Sequence, residues 1–559
     1  VTVRKALILA AGRGSRLGRI TDRIPKPMLR VHNRPILESH VRRLTAAGVW
    51  DIWINLHHAP EPIRAHFGDG SKFGVSIHYS EEPDLLGTAG ALRKLEQHFS
   101  SGLFFVVYGD NDIELDYTAL AAGRRGLVTI LAHHRDYVAE SGVLDLGADN
   151  RILRFQEKPA PGSELSHWVN AGVYLCQPAV LDYLPPGQSD WARDIFPRML
   201  QEKCELYAAI SPVPVTPIDT PEMLAAADPL WVAQIGAGNI GARRAGLFPR
   251  LATVADVDLN RAKAVAARSG ARAMSDWEAA IEDDRVRIVS VATTNNLLPI
   301  VARRALESGK HVLAEKPVAL RSSDLDPLVS IARERGLVYQ AGFNYRFHPA
   351  IERARSLLRQ GTIGRLLHGA ARHGHGGRLG LEKEWRAQPA LSGGGELLDQ
   401  GVHLIDLVRW FSQVDICGVQ AALRTDFWAI APLEDHALVW LDLSGGARFS
   451  LEVSLTQWKN LFWFELVCER GSIVIEGLGG SYGPERLTLT RRPERFGAPE
   501  IETETFPDPE SCWLAQWEEL ERAIRSGDEP SGSAADSLAC LRVVEACRRS
   551  SDERRRIEL

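Results

Sequence analysis

Seven cysteines stand in 559 residues, at 176, 204, 417, 468, 512, 540 and 547, and no two form a Cys-x-x-Cys pair. An odd, scattered set excludes a disulfide framework and a cysteine zinc site, and implies reduced thiols in the cytoplasm. Long apolar runs are also missing, and nothing approaches the length of a membrane span. Nor does charge of one sign dominate. Lys and Arg number 66 against 71 Asp and Glu, a net charge of −5, which leaves no electrostatic footprint for nucleic acid or an anionic membrane. The basic triplet Arg554-Arg555-Arg556 is flanked by Asp552, Glu553 and Glu558 and reads as a solvated helix end or loop. There is no internal repeat; Glu-Lys-Pro occurs at 157–159 and again at 315–317, in unrelated surroundings. The opening Arg4-Lys5 and the apolar residues 6–11 have the outline of a signal peptide. The run is short, however, and Gly12-Arg13-Gly14-Ser15-Arg16 follows it, so it reads as a buried strand entering a loop.

What is present is ordinary soluble composition, 45% hydrophobic and 25% charged, in a chain too long for one core, so about two to four domains are expected. Through residues 1–228 strand-like runs (5–10, 52–56, 104–108, 127–132) alternate with helical stretches such as 35–47. That alternation predicts a mainly parallel α/β sheet covered by helices on both faces. A proline-rich stretch, Pro212-Val213-Pro214-Val215-Thr216-Pro217, closes this part, and Asp228-Pro229 marks the boundary. A second α/β pattern begins at Leu230, with strands at 251–255, 286–292 and 311–314, and predicts a doubly wound domain over 229–345. From 346 to 559 alternating, aromatic runs (437–443, 448–453, 461–467, 472–475) predict an open, largely antiparallel α/β sheet domain that ends in a helix over 533–549.

Each α/β part opens on its own glycine-rich turn. The first is Leu9-Ala10-Ala11-Gly12-Arg13-Gly14-Ser15-Arg16-Leu17, with Pro25-Lys26-Pro27-Met28 beginning eight residues later. Small residues after a buried strand let backbone N–H groups approach a triphosphate, and Arg16 and Lys26 add fixed positive charge. With Leu86-Gly87-Thr88-Ala89-Gly90-Ala91-Leu92, Tyr108-Gly109-Asp110-Asn111, Glu157-Lys158-Pro159 and Asn170-Ala171-Gly172, residues 3–227 resemble the sugar-phosphate nucleotidyltransferases. The nearest look is the mannose- or heptose-1-phosphate guanylyltransferase branch. The resemblance implies that Leu9, Ala10, Gly12, Gly14, Gly87 and Gly90 shape a nucleotide pocket, that Arg16 holds departing pyrophosphate and that Lys26 holds phosphate. It further implies that Asp110 binds Mg²⁺ and that Glu157, Lys158 and Asn170 contact the sugar phosphate. The partners implied are an NTP, with GTP favoured, a sugar or cyclitol 1-phosphate, and the nucleotide sugar made from them. One string departs from the family. Aligned without a gap, Thr216-Pro217-Ile218-Asp219-Thr220-Pro221-Glu222 puts Pro217 where a second metal-binding Asp is usual. Either Asp219 takes over that role or the metal site has lost a carboxylate.

The second turn, Gly236-Ala237-Gly238-Asn239-Ile240-Gly241, lies between a strand and a helix, where its amides suit a pyrophosphate. Asp256, twenty residues after Gly236 at the end of the next strand, can accept from both ribose hydroxyls and repel a 2′-phosphate, which favours NAD. Then follow Glu315-Lys316-Pro317, Gly342-Phe343-Asn344-Tyr345-Arg346-Phe347-His348-Pro349 and Ser392-Gly393-Gly394-Gly395-Glu396-Leu397-Leu398-Asp399-Gln400-Gly401-Val402-His403. These resemble the inositol dehydrogenase / glucose–fructose oxidoreductase family over residues 230–559. Asp399 and His403, four apart, share a helix face; a histidine near neutrality can take a hydroxyl proton as hydride leaves, with the adjacent carboxylate orienting it. Lys316 can stabilise the reacting oxygen. By the resemblance Lys316, Asp399 and His403 are the catalytic set, Asn239, Ile240 and Glu315 belong with the cofactor loop, and Asn295 lies near the nicotinamide.

Three further features take plainer readings. His373-Gly374-His375 reads as a flexible loop near the substrate, without carboxylates at ligand spacing. Trp385 borders the sugar or packs in the core. The aromatic run 461–464 reads as a sheet face buried in a core or between subunits, so a homo-oligomer is expected. Together these readings make a bifunctional nucleotidyltransferase and NAD-dependent oxidoreductase. The alternative is an NAD-dependent sugar dehydrogenase whose N-terminal part has become a catalytically weak nucleotide sensor or scaffold.

Overall fold

The computed structural model describes residues 2–495, 497–507 and 510–559, the side chain of Arg19 excepted. It divides into two compact units, Val1–Pro229 and Leu230–Leu559. In the first, Lys5–Leu9 lies at the middle of a sheet with Ala6, Leu7 and Ile8 buried on both faces. Such a strand must read as an uninterrupted apolar run, and helices must cover both sides of it. Lys5–Leu9 runs parallel to Asp51–Leu56 on one side and Phe104–Tyr108 on the other, and Ser76–Glu81 continues the parallel part. Leu206–Ile210 is likewise parallel to Val128–His134, so the expected parallel sheet is present, with antiparallel members added to it. Trp168–Cys176 enters antiparallel beside Phe104–Tyr108 and Val128–His134, and Gly142–Leu146 and Ile152–Glu157 follow it as antiparallel strands. Gly142–Leu146 and Ile152–Glu157 are short and half-exposed, so their sequences lack the continuous apolar run that marked the others. The loops after residues 9 and 108 therefore emerge side by side at the carboxyl ends of the central parallel strands, the crevice where open α/β sheets bind ligands.

The second unit holds two sheets. Six parallel strands run in the spatial order Arg272–Met274, Leu251–Ala255, Trp231–Ile235, Val286–Val291, His311–Ala314 and Tyr339–Ala341. A nine-stranded sheet begins at Leu366–Gly374 in chain order and closes on the terminal pair Ile557–Glu558. Its neighbours are antiparallel except Leu366–Gly374 with Arg448–Ser454. One apolar core spans both sheets, from Val291 and Ala314 to Val453 and Phe464. The last long helix, Ala534–Glu553, starts from a capping box between Ser533 and Asp536, and its Ser537 hydroxyl donates to the Pro317 carbonyl at 2.9 Å, just after Lys316. Along Leu461–Cys468 burial alternates strictly, with Phe462 and Phe464 facing the core. His373 is not on a flexible loop: it lies near the end of Leu366–Gly374, buried, because it falls on the core-facing side of that strand.

Candidate active sites

In the first unit the glycine turn leaves the central strand with the Ala10 N–H donating to Asn55 Oδ1 at 2.7 Å. Asn55 Nδ2 in turn donates to Glu82 Oε1 (2.9 Å), and Glu82 Oε2 accepts from the Leu86 N–H (3.1 Å). A buried polar chain thus fixes the 9–17 turn relative to the Leu86-Gly87 loop, a link no motif announced. Gly14 and Gly87 both have positive φ, and a Cβ would stand 2.9 Å from the Lys26 side chain at the first and 2.5 Å from the Ser189 carbonyl at the second. Close packing of these loops onto their supports requires glycine there. At Gly12 nothing lies within 4 Å.

Lys26 is the centre of the charge cluster. Only 4% exposed, its Nζ donates to Asp110 Oδ2 at 2.7 Å and to Asp219 Oδ1 at 2.8 Å. Burial alone would lower its pKa, but the two carboxylates outweigh that and hold it above its ordinary value. Burial likewise opposes ionisation of Asp219, yet Lys26 and Arg16 keep it below the usual carboxylate range. Arg16 lies 3.2 Å from Asp219 Oδ1 and 2.7 Å from Glu140 Oε2. The ladder explains how Asp219 arrives: Val215–Pro217 pairs antiparallel with Asn111–Ile113, Pro217 opposite Asn111, so the chain two residues on lies beside Asp110. Among the described residues no group of three His, Cys, Asp or Glu side chains could hold a metal ion by itself. Two carboxylates are nevertheless the usual protein share for Mg²⁺, which completes its shell with phosphate oxygens and water. The residues present fit that ion.

The sugar-phosphate candidates lie on the antiparallel side of the sheet. Glu157 ends Ile152–Glu157 and is pushed up by burial. Lys158 has φ +47 and donates its backbone N–H to Ser141. Asn170 Nδ2 donates to the Tyr174 hydroxyl (2.7 Å), and its Oδ1 accepts from Gly172 (2.9 Å). Among the described residues none of the three hydrogen-bonds to the Lys26 cluster.

In the second unit a cleft of about 940 Å³ runs from the glycine loop to the expected catalytic residues. Gly236, Gly238, Asn239, Ile240, Asp256, Asn295, Glu315, Lys316, Asp399 and His403 all line it. Gly241 does not; it lies under the loop, where a Cβ would stand 1.9 Å from the Gly236 carbonyl. Asp256 Oδ2 accepts from the Ala237 N–H at 2.7 Å, tying the second strand's end to the loop. Asn295 Nδ2 donates to the Ser392 carbonyl (2.9 Å). Glu315 accepts from the buried Arg244 at 2.6 Å, whose guanidinium lies over Trp513, a cleft residue brought in by the helix Ser511–Ser526. No local signal in the sequence marked Trp513.

At the far end Lys316 Nζ donates to Asp399 Oδ1 at 2.6 Å and also to the Asp399 carbonyl. Arg386 Nε lies 3.3 Å from Asp399 Oδ2. Burial would raise Asp399, but Lys316 and Arg386 hold its carboxyl far below the usual range. Asp399 therefore does not orient His403 as expected: its two oxygens are engaged by cations, and no hydrogen bond joins it to the imidazole. His403 is set instead by Tyr345, whose ring is parallel to it at 4.0 Å and 11°. Burial, then Lys316, depress His403 well below its ordinary value, so it is neutral and able to accept a proton. Its Nδ1 is buried without a partner. Tyr345 and Arg386 were not identified as partners of this set from sequence; both line the cleft, as does Trp385, for which a place beside the sugar was one of the two expectations.

Comparison with known proteins follows the same division. Residues 5–213 match the nucleotidyl transferase family model. Residues 230–343 match the oxidoreductase family model, NAD-binding Rossmann fold, and residues 351–474 the GFO/IDH/MocA C-terminal domain. A UTP–glucose-1-phosphate uridylyltransferase of Synechocystis is 37% identical over 221 residues, covering 36% of this chain and 57% of that protein. A mannose-1-phosphate guanyltransferase of Eremothecium gossypii is 35% identical over 212 residues, covering 36% and 58%. The chain thus spans little more than half the length of these relatives. A solved levoglucosan dehydrogenase in complex with NADH aligns at 22% identity and TM-score 0.53, covering 59% of this chain and 98% of that one; at that identity the likeness shows the fold.

Proposed function

We propose, because the chain belongs to the nucleotidyl transferase family in its first unit and to the GFO/IDH/MocA oxidoreductase family in its second, that it is a bifunctional enzyme of activated-sugar or cyclitol metabolism. The first unit transfers a nucleotidyl group from an NTP to a sugar or cyclitol 1-phosphate and releases pyrophosphate. The second exchanges hydride between NAD and a hydroxyl or carbonyl of a sugar or cyclitol. What carries the reading is one cleft that joins the loop Gly236–Ile240 to Lys316, Asp399 and His403. We further read 229–345 as the cofactor part of the second unit and 346–559 as its substrate part, and the compartment as cytoplasmic.

In nucleotidyl transfer a sugar-phosphate oxygen attacks the α-phosphorus in line, and positioning with charge neutralisation supplies the catalysis. Asp110 and Asp219 would hold Mg²⁺, which neutralises triphosphate charge when bound. Lys26, released from the two carboxylates, turns to the phosphate oxygens, and Arg16 holds the departing pyrophosphate. Glu157, Lys158 and Asn170 orient the sugar phosphate. Resemblance points to guanine, whereas the Synechocystis relative is named for UTP, so both bases are assayed.

In the second unit NAD, when bound, supplies the hydride acceptor or donor. His403, neutral in the buried cleft, takes the hydroxyl proton as hydride departs from carbon, and Lys316 stabilises the developing oxygen charge. The outward face of the nine-stranded sheet, with Leu438 and Trp440 about half exposed, we read as a contact between copies of the chain.

The alternative, a dehydrogenase with an inert first unit, predicted a metal site short of one carboxylate. Asp219 beside Asp110 on the same ammonium argues against it. Pyrophosphate release from GTP and UTP with a panel of sugar 1-phosphates, alongside NADH formation with the corresponding sugars, tests both halves. No turnover with any pair in the first assay would leave the dehydrogenase alternative.

A further inference from the structure

A line of polar groups crosses the first unit from a proposed sugar-phosphate residue to the nucleotide loop. It begins at Asn170, whose Oδ1 accepts from the Gly172 N–H at 2.9 Å. That bond orients the amide and leaves Nδ2 to donate to the Tyr174 hydroxyl at 2.7 Å. Tyr174 is fully buried and packs edge-on against Tyr108, 5.8 Å between ring centroids. Burial pushes the Tyr108 phenol up to about 12, and hydrogen bonding with Thr88 and Tyr174 partly offsets it. At the far end the Thr88 hydroxyl donates to Asp190 Oδ1 at 2.8 Å and accepts from the Trp191 N–H at 3.0 Å. Asp190 Oδ2 faces Arg193 at 3.3 Å. A hydroxyl has one proton to give. That of Thr88 goes to Asp190, so Tyr108 donates to Thr88. Tyr174, already accepting from Asn170, donates to Tyr108. Every bond then points the same way, from Asn170 through Tyr174, Tyr108 and Thr88 to Asp190, the arrangement in which successive hydrogen bonds strengthen one another.

The backbone holds both ends of this line. Beside Thr88, the Ser189 carbonyl accepts from the Ala89 and Gly90 N–H groups (2.9 and 3.1 Å), and the Ser189 N–H donates to the Leu86 carbonyl (3.0 Å). Gly172 has φ +73, and a Cβ there would stand 2.8 Å from Tyr108 Cγ, so the glycine after Asn170 is what lets Tyr108 lie in the line. The sequence motifs at 86–92, 108–111 and 170–172 are thus parts of one polar connection. We propose that Tyr174, Tyr108 and Thr88 are positioning residues that couple the sugar-phosphate side of the first site to its nucleotide loop, so that each substrate binds more tightly once the other is seated. The inference rests on reading the first unit as a nucleotidyltransferase with Asn170 at the sugar phosphate. In-line attack needs the two substrates fixed relative to each other, and a misplacement of about 1 Å costs about a hundredfold in rate. A ligand that orders Asn170 orders the loop through the line, so the second ligand meets a site already arranged. By linkage the tightening is equal in either order of binding.

The test uses the full chain with Mg²⁺, glucose or mannose 1-phosphate, and GTP or UTP analogues whose α,β-bridging oxygen is a methylene and cannot be cleaved. Calorimetry reads the affinity for the sugar 1-phosphate with and without the analogue. In the natural chain the analogue should tighten it roughly tenfold. Tyr174→Phe and Thr88→Val each remove one hydroxyl and keep the shape, and should bring that ratio to about twofold. The double variant should lose no more than either single one, because both cut the same line. Thr88→Ser keeps the hydroxyl and should retain most of the ratio. Tyr108→Phe breaks the line at its middle and replaces any variant that does not fold. A ratio that none of the single variants moves, or losses that add in the double variant, overturns the proposal. Pyrophosphate release from GTP and UTP is read alongside. Release by a natural chain that shows no tightening overturns the coupling alone. Tightening without release from any pair overturns the nucleotidyltransferase reading and leaves the coupling standing, and a chain that binds neither ligand overturns both.

Discussion

Replacing Gly238 by alanine separates what the fold needs from what the ligand needs. The three glycines of the loop are glycine for different reasons. Gly236 has φ +89, and a Cβ there would stand 2.3 Å from the Ala292 carbonyl; at Gly241 the corresponding approach to the Gly236 carbonyl is 1.9 Å. Real Cβ atoms essentially never come within 3.0 Å, so alanine at 241 must move backbone by about 1 Å, an overpacking cost of about 1–3 kcal/mol or more. Gly238 is different: φ is −70, ψ is −173, and nothing lies within 4 Å of its would-be Cβ. The folded protein gives no reason for glycine there. Gly238→Ala should therefore leave stability unchanged or raise it by about 0.4–1 kcal/mol through the unfolded chain, at most about 3 °C in melting temperature. A pyrophosphate seated on the amides of 237–240 would meet the new methyl and back away, losing charge-assisted hydrogen bonds of about 1.5–3 kcal/mol each. The Kd for NAD should rise about tenfold or more. Thermal unfolding without cofactor, paired with a fluorescence titration of NAD, reads both quantities. If Gly238→Ala binds NAD within about twofold of the natural chain, or loses more than about 1 kcal/mol of stability, the loop does not hold the cofactor in the way argued.

Three further substitutions address the remaining chemistry. Lys316→Met keeps the stem and removes the ammonium on Asp399; NADH formation should fall about a hundred- to a thousandfold with NAD affinity little changed, and near-normal turnover would remove Lys316 from the reaction. Asp110→Asn should abolish pyrophosphate release and spare hydride transfer, while Asp219→Asn should raise the Mg²⁺ concentration for half-maximal release by roughly tenfold. An unchanged Mg²⁺ requirement would reduce Asp219 to a partner of Lys26. His40, buried and bonded to the Tyr117 hydroxyl and the Asn111 carbonyl, is pushed down to about 4 by burial. The unfolded chain takes up that proton near pH 6.5, so between pH 6.5 and 4 this residue costs about 1.4 kcal/mol of stability per pH unit. Urea midpoints from pH 7 to 4.5 should therefore fall less steeply for His40→Gln than for the natural chain; parallel slopes would contradict this.

Strands buried on both faces were legible almost to the residue. Phe104–Tyr108, Leu251–Ala255 and His311–Ala314 are apolar runs bounded by turn signals, and a parallel strand leaves no other pattern. The antiparallel half of the first sheet was not, because Gly142–Leu146 and Ile152–Glu157 alternate weakly and one face is wet. Motif residues fell into two groups. Those carried by a strand end and its following turn, Gly236, Asp256, Lys316 and Asp110, were identifiable because the turn's local requirements write themselves into the sequence. Residues delivered by tertiary packing were not: Arg386 arrives on the short 3-10 turn Trp385–Ala387, and Trp513 on a helix about 270 positions from the glycine turn it borders. Asp219 shows the limit of ungapped matching. A two-residue offset left two readings open, a replacement by Asp219 or a lost carboxylate, and the pairing of Val215–Pro217 with Asn111–Ile113 shows where that carboxylate goes.

The two sites differ in how each lysine is kept. A buried ammonium is stable only while paired, and removing a partner costs about 3–5 kcal/mol. Lys316 has one carboxylate, itself shared with Arg386. Lys26 has two, and Arg16 beside it is further matched by Glu140. Both cations are therefore already matched by carboxylates. For Lys26 and Arg16 to serve phosphate at all, a second cation must take Asp110 and Asp219 from them. The same pairing that lets Lys26 be buried would thus make nucleotide binding in the first unit depend on a divalent ion entering with the NTP.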